Sequence, residues 1–132
     1  MLLVDTNVLV DVLEDDPRWA DWSIGQLRAQ SKIHPLLINP IIYAELSLTF
    51  SRVEALDQTI ESMGLVLKEL PRPALFLAGK AFVLYCRKGG KKSSVLADFF
   101  VGAHAAVLGC PLLTRDAQRY RSYFPSIELI TP

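Results

Sequence analysis

The chain has 132 residues, with 14 basic and 14 acidic side chains and a hydrophobic fraction of 51%. This balance excludes an intrinsically disordered chain, and the length favours one domain over 1–132 rather than two sizeable ones. The formal net charge of zero conceals an asymmetry: residues 1–66 carry ten acids and four bases, a net −6, and residues 67–132 carry four acids and ten bases, a net +6.

Short apolar segments alternate with helical segments along the chain. A strand is predicted at 2–4 and a helix at 6–13, and Asp15-Asp16-Pro17 is typical of the start of a helix that runs to about Gln30. A strand at 33–38 leads to Asn39-Pro40, which predicts a helix with Asn as its cap and Pro as its first residue. The later elements are a helix at 52–63, a strand at 65–70, a helix at 73–87, a basic loop at 87–94, a helix at 94–108, a strand at 111–114, a helix at 116–123 and a strand at 127–130.

This alternation predicts an α/β fold in which helices cover both faces of a mostly parallel sheet of about five short strands. In such sheets, binding and catalytic sites form at the carboxyl ends of the strands. Acidic residues that follow the strands are therefore the first candidates for chemistry.

The sequence favours a protein of the cytoplasm. Cys86 and Cys110 form neither a CxxC pair nor part of a zinc-like Cys/His cluster, and free thiols suit a reducing compartment. The first residues lack the basic segment of a signal peptide. The longest weakly charged stretch, 93–114, is interrupted by Asp98 and Pro111, so no membrane-spanning helix is expected.

Three carboxylates stand alone in segments that otherwise resemble buried elements. Asp5 is the only charged side chain in residues 1–10, Glu45 is the only Asp, Glu, Lys or Arg in 33–51, and Asp98 is the only one in 93–114. An unpaired buried carboxylate is costly and would normally become protonated. Because these segments contain no matching base, we expect the carboxylates to have another cationic partner.

A fourth acid, Asp116, follows the predicted strand at 111–114, just as Asp5 follows the strand at 2–4. If the sheet is parallel, both acids lie at the same edge, and Glu45 and Asp98 could join them there. An all-oxygen ligand set suits Mg²⁺ or Mn²⁺, which can activate water and stabilise charge on a phosphodiester. Each acid also has a structural interpretation: Asp5 and Asp116 could be helix caps, Asp98 a helix-start acid favoured by the dipole, and Glu45 a solvated helix residue.

Four motifs carry these acids in order along the chain: Leu3-Val4-Asp5-Thr6-Asn7-Val8-Leu9, Tyr43-Ala44-Glu45-Leu46, Asp98-Phe99-Phe100-Val101-Gly102-Ala103-His104-Ala105 and Leu113-Thr114-Arg115-Asp116. Together they resemble the acidic motifs of PIN-domain nucleases, in particular the VapC-type toxins of toxin–antitoxin pairs. The resemblance covers essentially the whole chain.

The resemblance implies a three-layer α/β/α PIN-like fold and a metal-dependent endoribonuclease. One or two Mg²⁺ or Mn²⁺ ions would be bound mainly by Asp5, Asp98 and Asp116, with Glu45 as a further ligand or a base. Asn7 and Thr114 match supporting polar positions. The resemblance also implies a small cognate antitoxin that blocks the acidic site, and a homodimer.

An RNA substrate requires positive charge near the acids, because phosphate contacts dominate affinity. The candidates precede the Asp98 helix or flank Asp116: Arg87, Lys88, Lys91, Lys92, Arg115 and Arg119. Each could equally be a solvated surface residue. Tyr120, Tyr123 and Phe124 could stack on bases or pack in the core.

Three other functions fit the sequence less well. A catalytically silent PIN domain could bind RNA or protein, although four intact acids disfavour it. An aspartyl-phosphate phosphatase built on Asp5 would typically have a second Asp two residues on, where the chain has Asn7. Histidine-based RNA cleavage is not expected, because His104 lies six residues past Asp98, about 120° away around a helix, and is expected to be a packed, hydrogen-bonded residue.

Overall fold

The computed structural model describes residues 1–91 and 96–132, and its elements alternate as the sequence predicts. In chain order they are β1 (Leu2–Val4), α1 (Thr6–Leu13), α2 (Ala20–Ser31), β2 (Leu36–Ile38), α3 (Pro40–Leu46), a short 3-10 helix (Ser47–Thr49), α4 (Val53–Ser62), β3 (Leu65–Leu67), α5 (Arg72–Arg87), α6 (Leu96–Leu108), β4 (Leu112–Leu113), α7 (Gln118–Tyr123) and β5 (Leu129–Ile130). Within these ranges, no helix is long and apolar enough to cross a membrane.

The strands of the described chain form one parallel sheet in the order β3-β2-β1-β4-β5. β1 lies at its centre, where Leu3 pairs with Leu37 of β2 and with Leu112 of β4. Every residue of β1, β2 and β4 is buried, as expected for a parallel sheet that is covered by helices on both faces. The predicted three-layer α/β/α fold is confirmed.

The sheet order also locates a crevice. The chain runs outward from β1 through β2 to β3, and then returns to the other side of β1 to add β4 and β5. The connections that leave β1 and β4 therefore diverge, which opens the carboxyl edge between these two neighbouring strands. Asp5 follows β1 at this edge and Thr114 follows β4.

Several element boundaries differ from the prediction. β2 begins at Leu36 rather than at residue 33, and Ile33 is 70% exposed. α2 begins at Ala20, because the Asp16 carboxylate accepts the backbone N–H groups of Arg18 and Trp19 and forms a turn before the helix. β3 ends at residue 67, and α7 begins at residue 118. Residues 92–95, which include parts of the predicted loop at 87–94 and helix at 94–108, lie outside the described ranges.

Asn39 caps α3 as predicted. Its Oδ1 accepts the N–H of Ile42 at 3.0 Å, and Pro40 is the first residue of the helix. The Asn39 amide nitrogen lies 3.2 Å from Nδ1 of His104, and both side chains are buried. His104 is therefore a packed, hydrogen-bonded residue, and it joins α6 to the end of β2.

Candidate active site

Asp5 lies at the carboxyl end of the central strand and is 5% exposed. Its backbone N–H donates to the carbonyl of Leu113 at 2.9 Å, which aligns the ends of β1 and β4. Its Oδ1 accepts the N–H of Thr6 at 2.8 Å, while Oδ2 accepts the hydroxyl of Thr114 at 2.9 Å and the phenol of Tyr120 at 2.8 Å. The carboxylate is thus fixed from β1, β4 and α7 together.

These donors do not fully offset the loss of water around Asp5. Burial raises the pKa of Asp5 from 3.8 to about 6, and the neighbouring Asp98 carboxylate adds to the rise, while the three hydrogen bonds lower it. Burial and the charge of Asp5 also raise the pKa of Tyr120 well above 10.0, so the phenol remains a donor. A cation near Asp5 would favour the ionised carboxylate.

Asn7 and Thr114 connect the two strand ends. The Asn7 amide donates to Thr114 Oγ1 at 3.2 Å, and the Asn7 carbonyl oxygen accepts the N–H of Arg115 at 3.1 Å. Thr114 Oγ1 also accepts the N–H of Asp116 at 3.1 Å, so its own proton is directed to Asp5. This geometry suits the supporting role that the sequence predicts for both residues.

Glu45 reaches the same edge from α3. Its Oε1 accepts the hydroxyl of Thr6 at 2.7 Å, and Thr6 is the residue whose N–H is bound by Asp5. The negative charges of Asp5, Asp98 and Glu45 all contribute to the raised pKa of Tyr120. Three of the four acids therefore lie within electrostatic reach of one buried phenol.

Asp98 lies in the first turn of α6, and its half-buried carboxylate accepts a hydrogen bond from the guanidinium of Arg119 in α7. Burial raises the pKa of Asp98, Arg119 acts against that rise, and the charge of Asp116 adds to it. Asp116 itself is exposed. The sequence offers no base for Asp98 in its own segment, and the fold supplies one from α7.

Arg115 has a different partner from the one that the sequence suggests. Its Nε lies 2.7 Å from Oδ2 of Asp11 and its Nη2 lies 2.9 Å from Oδ1, and the Asp11 side chain is only 2% exposed. The guanidinium also lies 5.2 Å from the ring centre of Trp19. Such a bidentate, stacked arginine holds the loop after β4 against α1, a structural role that the sequence does not indicate.

The other basic candidates lie around the end of α5 and on α7. Arg87, Lys88 and Lys91 are exposed, and the Lys88 ammonium lies 5.6 Å from the ring centre of Tyr123. Lys92 lies outside the described residues. Arg119 faces a pocket of about 300 Å³ beside Asp116, whose lining is Tyr85, Asp116, Gln118, Arg119, Ser122 and Tyr123.

Two aromatic candidates belong to the core. Tyr120 is 2% exposed and Phe124 is 4% exposed, so the packing interpretation of these residues is confirmed. Tyr120 nevertheless contacts the site through Asp5, a role that the sequence analysis missed. Its only sequence signal is an amphipathic aromatic residue four positions after Asp116, which is too common to identify a donor.

The comparisons with known proteins agree with this architecture. A sequence profile described as the PIN domain matches residues 2–124. The chain belongs to the PIN domain family. Among curated protein sequences, none matches this PIN domain significantly.

Solved structures of similar fold are known from several bacteria. VapBC2 from Rickettsia felis bound to a promoter DNA fragment has 18% identity and a TM-score of 0.76, covering 99% of this chain and 98% of that chain. DNA-bound VapBC from Salmonella typhimurium has 18% identity and a TM-score of 0.72, covering 98% and 96%. A toxin–antitoxin complex from Klebsiella pneumoniae has 21% identity and a TM-score of 0.64, covering 100% and 98%. At these identities the likeness establishes the fold.

PIN domains generally depend on divalent metal ions, and the donor chemistry of this edge fits one. Its carboxylates are hard oxygen ligands of the kind that Mg²⁺ and Mn²⁺ prefer. Burial raises the pKa of Asp5 and of Asp98, and repulsion from a neighbouring carboxylate adds to each rise. Within residues 1–91 and 96–132, no three His, Cys, Asp or Glu side chains are grouped closely enough to hold one ion. Asp98 is bonded to Arg119 instead.

Proposed function

We propose that this PIN domain is a Mg²⁺- or Mn²⁺-dependent endoribonuclease that acts as the toxin of a toxin–antitoxin pair. The observation that supports the proposal is the position of the four acids along one edge of the sheet, at the carboxyl ends of the strands, in a member of a nuclease family. Asp5 and Asp116 follow adjacent strands, Glu45 is linked to Asp5 through Thr6, and Asp98 shares electrostatic contacts with Asp5 and Asp116.

In this proposal, one or two bound ions supply an activated water and positive charge for the phosphodiester during hydrolysis. Asp5, Asp98 and Asp116 would be the main ligands of the ion, and Glu45 would be a further ligand or the base that accepts a proton from water. Tyr120 and Thr114 orient the Asp5 carboxylate by donating to Oδ2, which leaves its Oδ1 side toward Thr6.

RNA is proposed to approach from the side of α5 and α7. Phosphate contacts require cations close to the acids, and Lys88 and Arg119 both lie against tyrosine rings near Asp116. Arg87, the last residue of α5, and Lys91, in the loop that follows it, are exposed and extend this basic surface. Arg115 is left out of the proposed RNA contacts because its guanidinium is bound to Asp11.

A cognate antitoxin and a homodimer are proposed as protein partners. The similar solved structures include, by their names, VapBC and toxin–antitoxin complexes, which supports the first. The outer face of α5 is unusually apolar for a surface and supports a protein contact: Leu75, Phe76, Val83 and Leu84 are between 42% and 69% exposed. Cys86 and Cys110 are free thiols, which fits the reducing cytoplasm where we place the protein.

The experiment that tests the activity compares wild-type protein with Asp98→Asn. We expect wild-type protein to cut RNA with Mg²⁺ or Mn²⁺, to lose cleavage in EDTA, and Asp98→Asn to be slower by more than about 100-fold, the upper cost of losing a residue that only supports a metal ligand. Asp21→Asn is the matched control, because it makes the same chemical change at an exposed acid of α2. Circular dichroism would show that each variant is folded.

Two outcomes would contradict the proposed activity. Folded, metal-loaded protein that binds RNA tightly without cutting it would identify a silent binding module. A phosphorylated Asp5 trapped during turnover would identify a phosphatase.

A further inference from the structure

The pocket beside the acids lies between the end of α5 and α7 and has a volume of about 300 Å³. We propose that this pocket binds a phosphate group of the RNA chain through Arg119, and that the Arg119 guanidinium passes from Asp98 to the phosphate when RNA binds. The identity of the ligand as RNA rests on the proposed function, whereas the phosphate site itself rests on the geometry of the pocket.

The ion pair between Arg119 and Asp98 is accessible to an incoming anion. The Asp98 side chain is 33% exposed, whereas that of Asp11 in the ion pair with Arg115 is 2% exposed; the two arginines are similarly exposed, at 26% and 28%. Ion pairs that remain in contact with water are weak. A phosphate oxygen pair fits the planar guanidinium as well as a carboxylate does, so an RNA phosphate can replace Asp98 as its partner.

The walls of the pocket keep Arg119 in place during this exchange. Its guanidinium lies 5.7 Å from the ring centre of Tyr85, a cation–π contact that does not depend on Asp98. On the same side, the Lys88 ammonium lies 5.6 Å from the ring centre of Tyr123 and adds a second positive charge. The Gln118 amide lines the pocket and can donate to a phosphate oxygen.

The exchange has a consequence for the metal ligands. While Arg119 is bonded to Asp98, it competes with a metal ion for that carboxylate. When a phosphate binds the Arg119 guanidinium, the Asp98 carboxylate loses this partner and can bind the metal ion. Binding of the phosphate and binding of the metal should therefore favour one another, with the same coupling in both directions.

Uridine 5′-monophosphate is a suitable probe, since it carries the phosphate and has no phosphodiester to cut. Its affinity is measured by calorimetry in EDTA, so that no metal ion contributes. We expect Arg119→Gln to weaken binding roughly tenfold, as the loss of a charge-assisted hydrogen-bond pair would. Arg121→Gln removes an exposed arginine from the same helix and should change the affinity less than about twofold.

Asp98→Asn tests the exchange itself. If Asp98 holds the guanidinium, this variant should bind the nucleotide roughly threefold more tightly in EDTA, because Arg119 is already free. Asp116→Asn is the matched control: Asp116 lines the same pocket, and within the described chain its carboxylate makes no hydrogen bond to Arg119. Removing its charge should therefore have the smaller effect.

A separate measurement follows Mn²⁺ binding without nucleotide, by the paramagnetic resonance signal of the free ion. Arg119→Gln should bind Mn²⁺ roughly threefold more tightly than wild-type protein, and Arg121→Gln should not. Uridine without phosphate should bind in neither the wild type nor the variants.

The proposal is overturned if Arg119→Gln leaves nucleotide affinity unchanged, if Asp98→Asn and Asp116→Asn strengthen it equally, if Arg119→Gln binds Mn²⁺ no more tightly, or if uridine binds as well as its phosphate. RNA cleavage by the wild type would survive each of these results. Conversely, a protein that cuts no RNA but follows the nucleotide and Mn²⁺ predictions would keep the phosphate site and lose the proposed activity.

Discussion

Asp5 carries a charge that the polypeptide alone does not balance. Tyr120, Thr114 and the N–H of Thr6 all donate to its carboxylate, yet its pKa is raised to about 6 by burial and by Asp98. A purely structural helix cap would have a pKa near or below the ordinary value, because its donors favour the charged form. At Asp5, the loss of water around the carboxylate therefore outweighs the three hydrogen bonds that favour its charged form.

The raised pKa of Asp5 predicts how stability depends on pH. Between the unfolded value of 3.8 and the folded value of about 6, the folded state holds the proton more tightly than the unfolded state. Asp5 should therefore make the metal-free protein less stable as pH rises from about 4 to about 6, by at most about 3 kcal/mol for a shift of about two units, with no further change above that range. Asp98, whose pKa is also raised, acts in the same direction.

The measurement is urea unfolding in EDTA across pH 4 to 7.5 for the wild type and for Asp5→Asn. The variant has no proton to lose at this position, so the difference in unfolding free energy between the two proteins should change across this window and remain level above it. If the unfolding free energies of both proteins depend on pH in the same way, the pKa of Asp5 is not raised in the folded protein.

At the scale of single residues, the sequence predicts which acids belong to the candidate site better than it predicts which side chains form hydrogen bonds with them. Asp5, Glu45 and Asp98 stand out because each is the only charged residue in an apolar segment, and this pattern can be read from the sequence alone. Tyr120 is separated from Asp5 by 115 positions, Arg115 from Asp11 by 104, and Arg119 from Asp98 by 21. These pairs form only when the fold brings α7 and the loop after β4 to the carboxyl edge of the sheet, and no local pattern indicates them.

At the level of elements, the contact between α6 and the end of α7 positions half of the site. α6 carries Asp98, and α7 carries Arg119 and Tyr120. Gly102 in α6 lets the Phe124 ring approach the helix backbone, since a Cβ at position 102 would lie 2.4 Å from the Phe124 ring. Phe124 is 4% exposed and packs on Phe99, so its ring has little room to move.

We therefore expect Gly102→Ala to destabilise the protein by about 1–3 kcal/mol, the usual cost of overpacking a core. Gly79→Ala in α5 is the matched control, because nothing lies within 4 Å of its added Cβ. The control should stabilise the protein by about 0.5–1 kcal/mol through helix propensity. The denaturant midpoints of the two variants measure both effects. Equal stabilisation by the two substitutions would mean that the Phe124 ring can move away from the added methyl group at little cost.

The order of the strands could not be predicted in the same way as their existence. Leu2–Val4, Leu36–Ile38 and Leu65–Leu67 are three-residue apolar strands with nearly interchangeable sequences. Nothing in them specifies which becomes central, and only the packing of the intervening helices decides it. The predicted extension of β2 to residue 33 was wrong for a related reason: an exposed isoleucine looks the same in sequence as a buried one.

Across the whole molecule, the two halves of opposite charge have different roles. In the acidic half, the buried Asp11 carboxylate forms an ion pair with Arg115, and Asp5 and Glu45 belong to the candidate site. In the basic half, Arg87, Lys88 and Lys91 remain exposed near the pocket of Arg119. The net charge of zero therefore describes neither half of the surface. We expect the affinity for RNA to depend on the basic surface at the end of α5 rather than on the net charge of the whole protein.

The salt dependence of RNA affinity tests this separation. In EDTA, where RNA stays intact, the logarithm of the association constant falls with the logarithm of salt concentration by about 0.7 for each single-strand phosphate that is neutralised. Changing both Lys88 and Lys91 to Gln should therefore reduce the slope by about 1.4. The matched control changes Arg28 and Lys32, two exposed bases of the acidic half, and alters net charge equally. Equal slopes for the two double variants would mean that RNA senses overall charge, whereas a change confined to the first pair would place the substrate along α5, where its phosphates can reach Arg119.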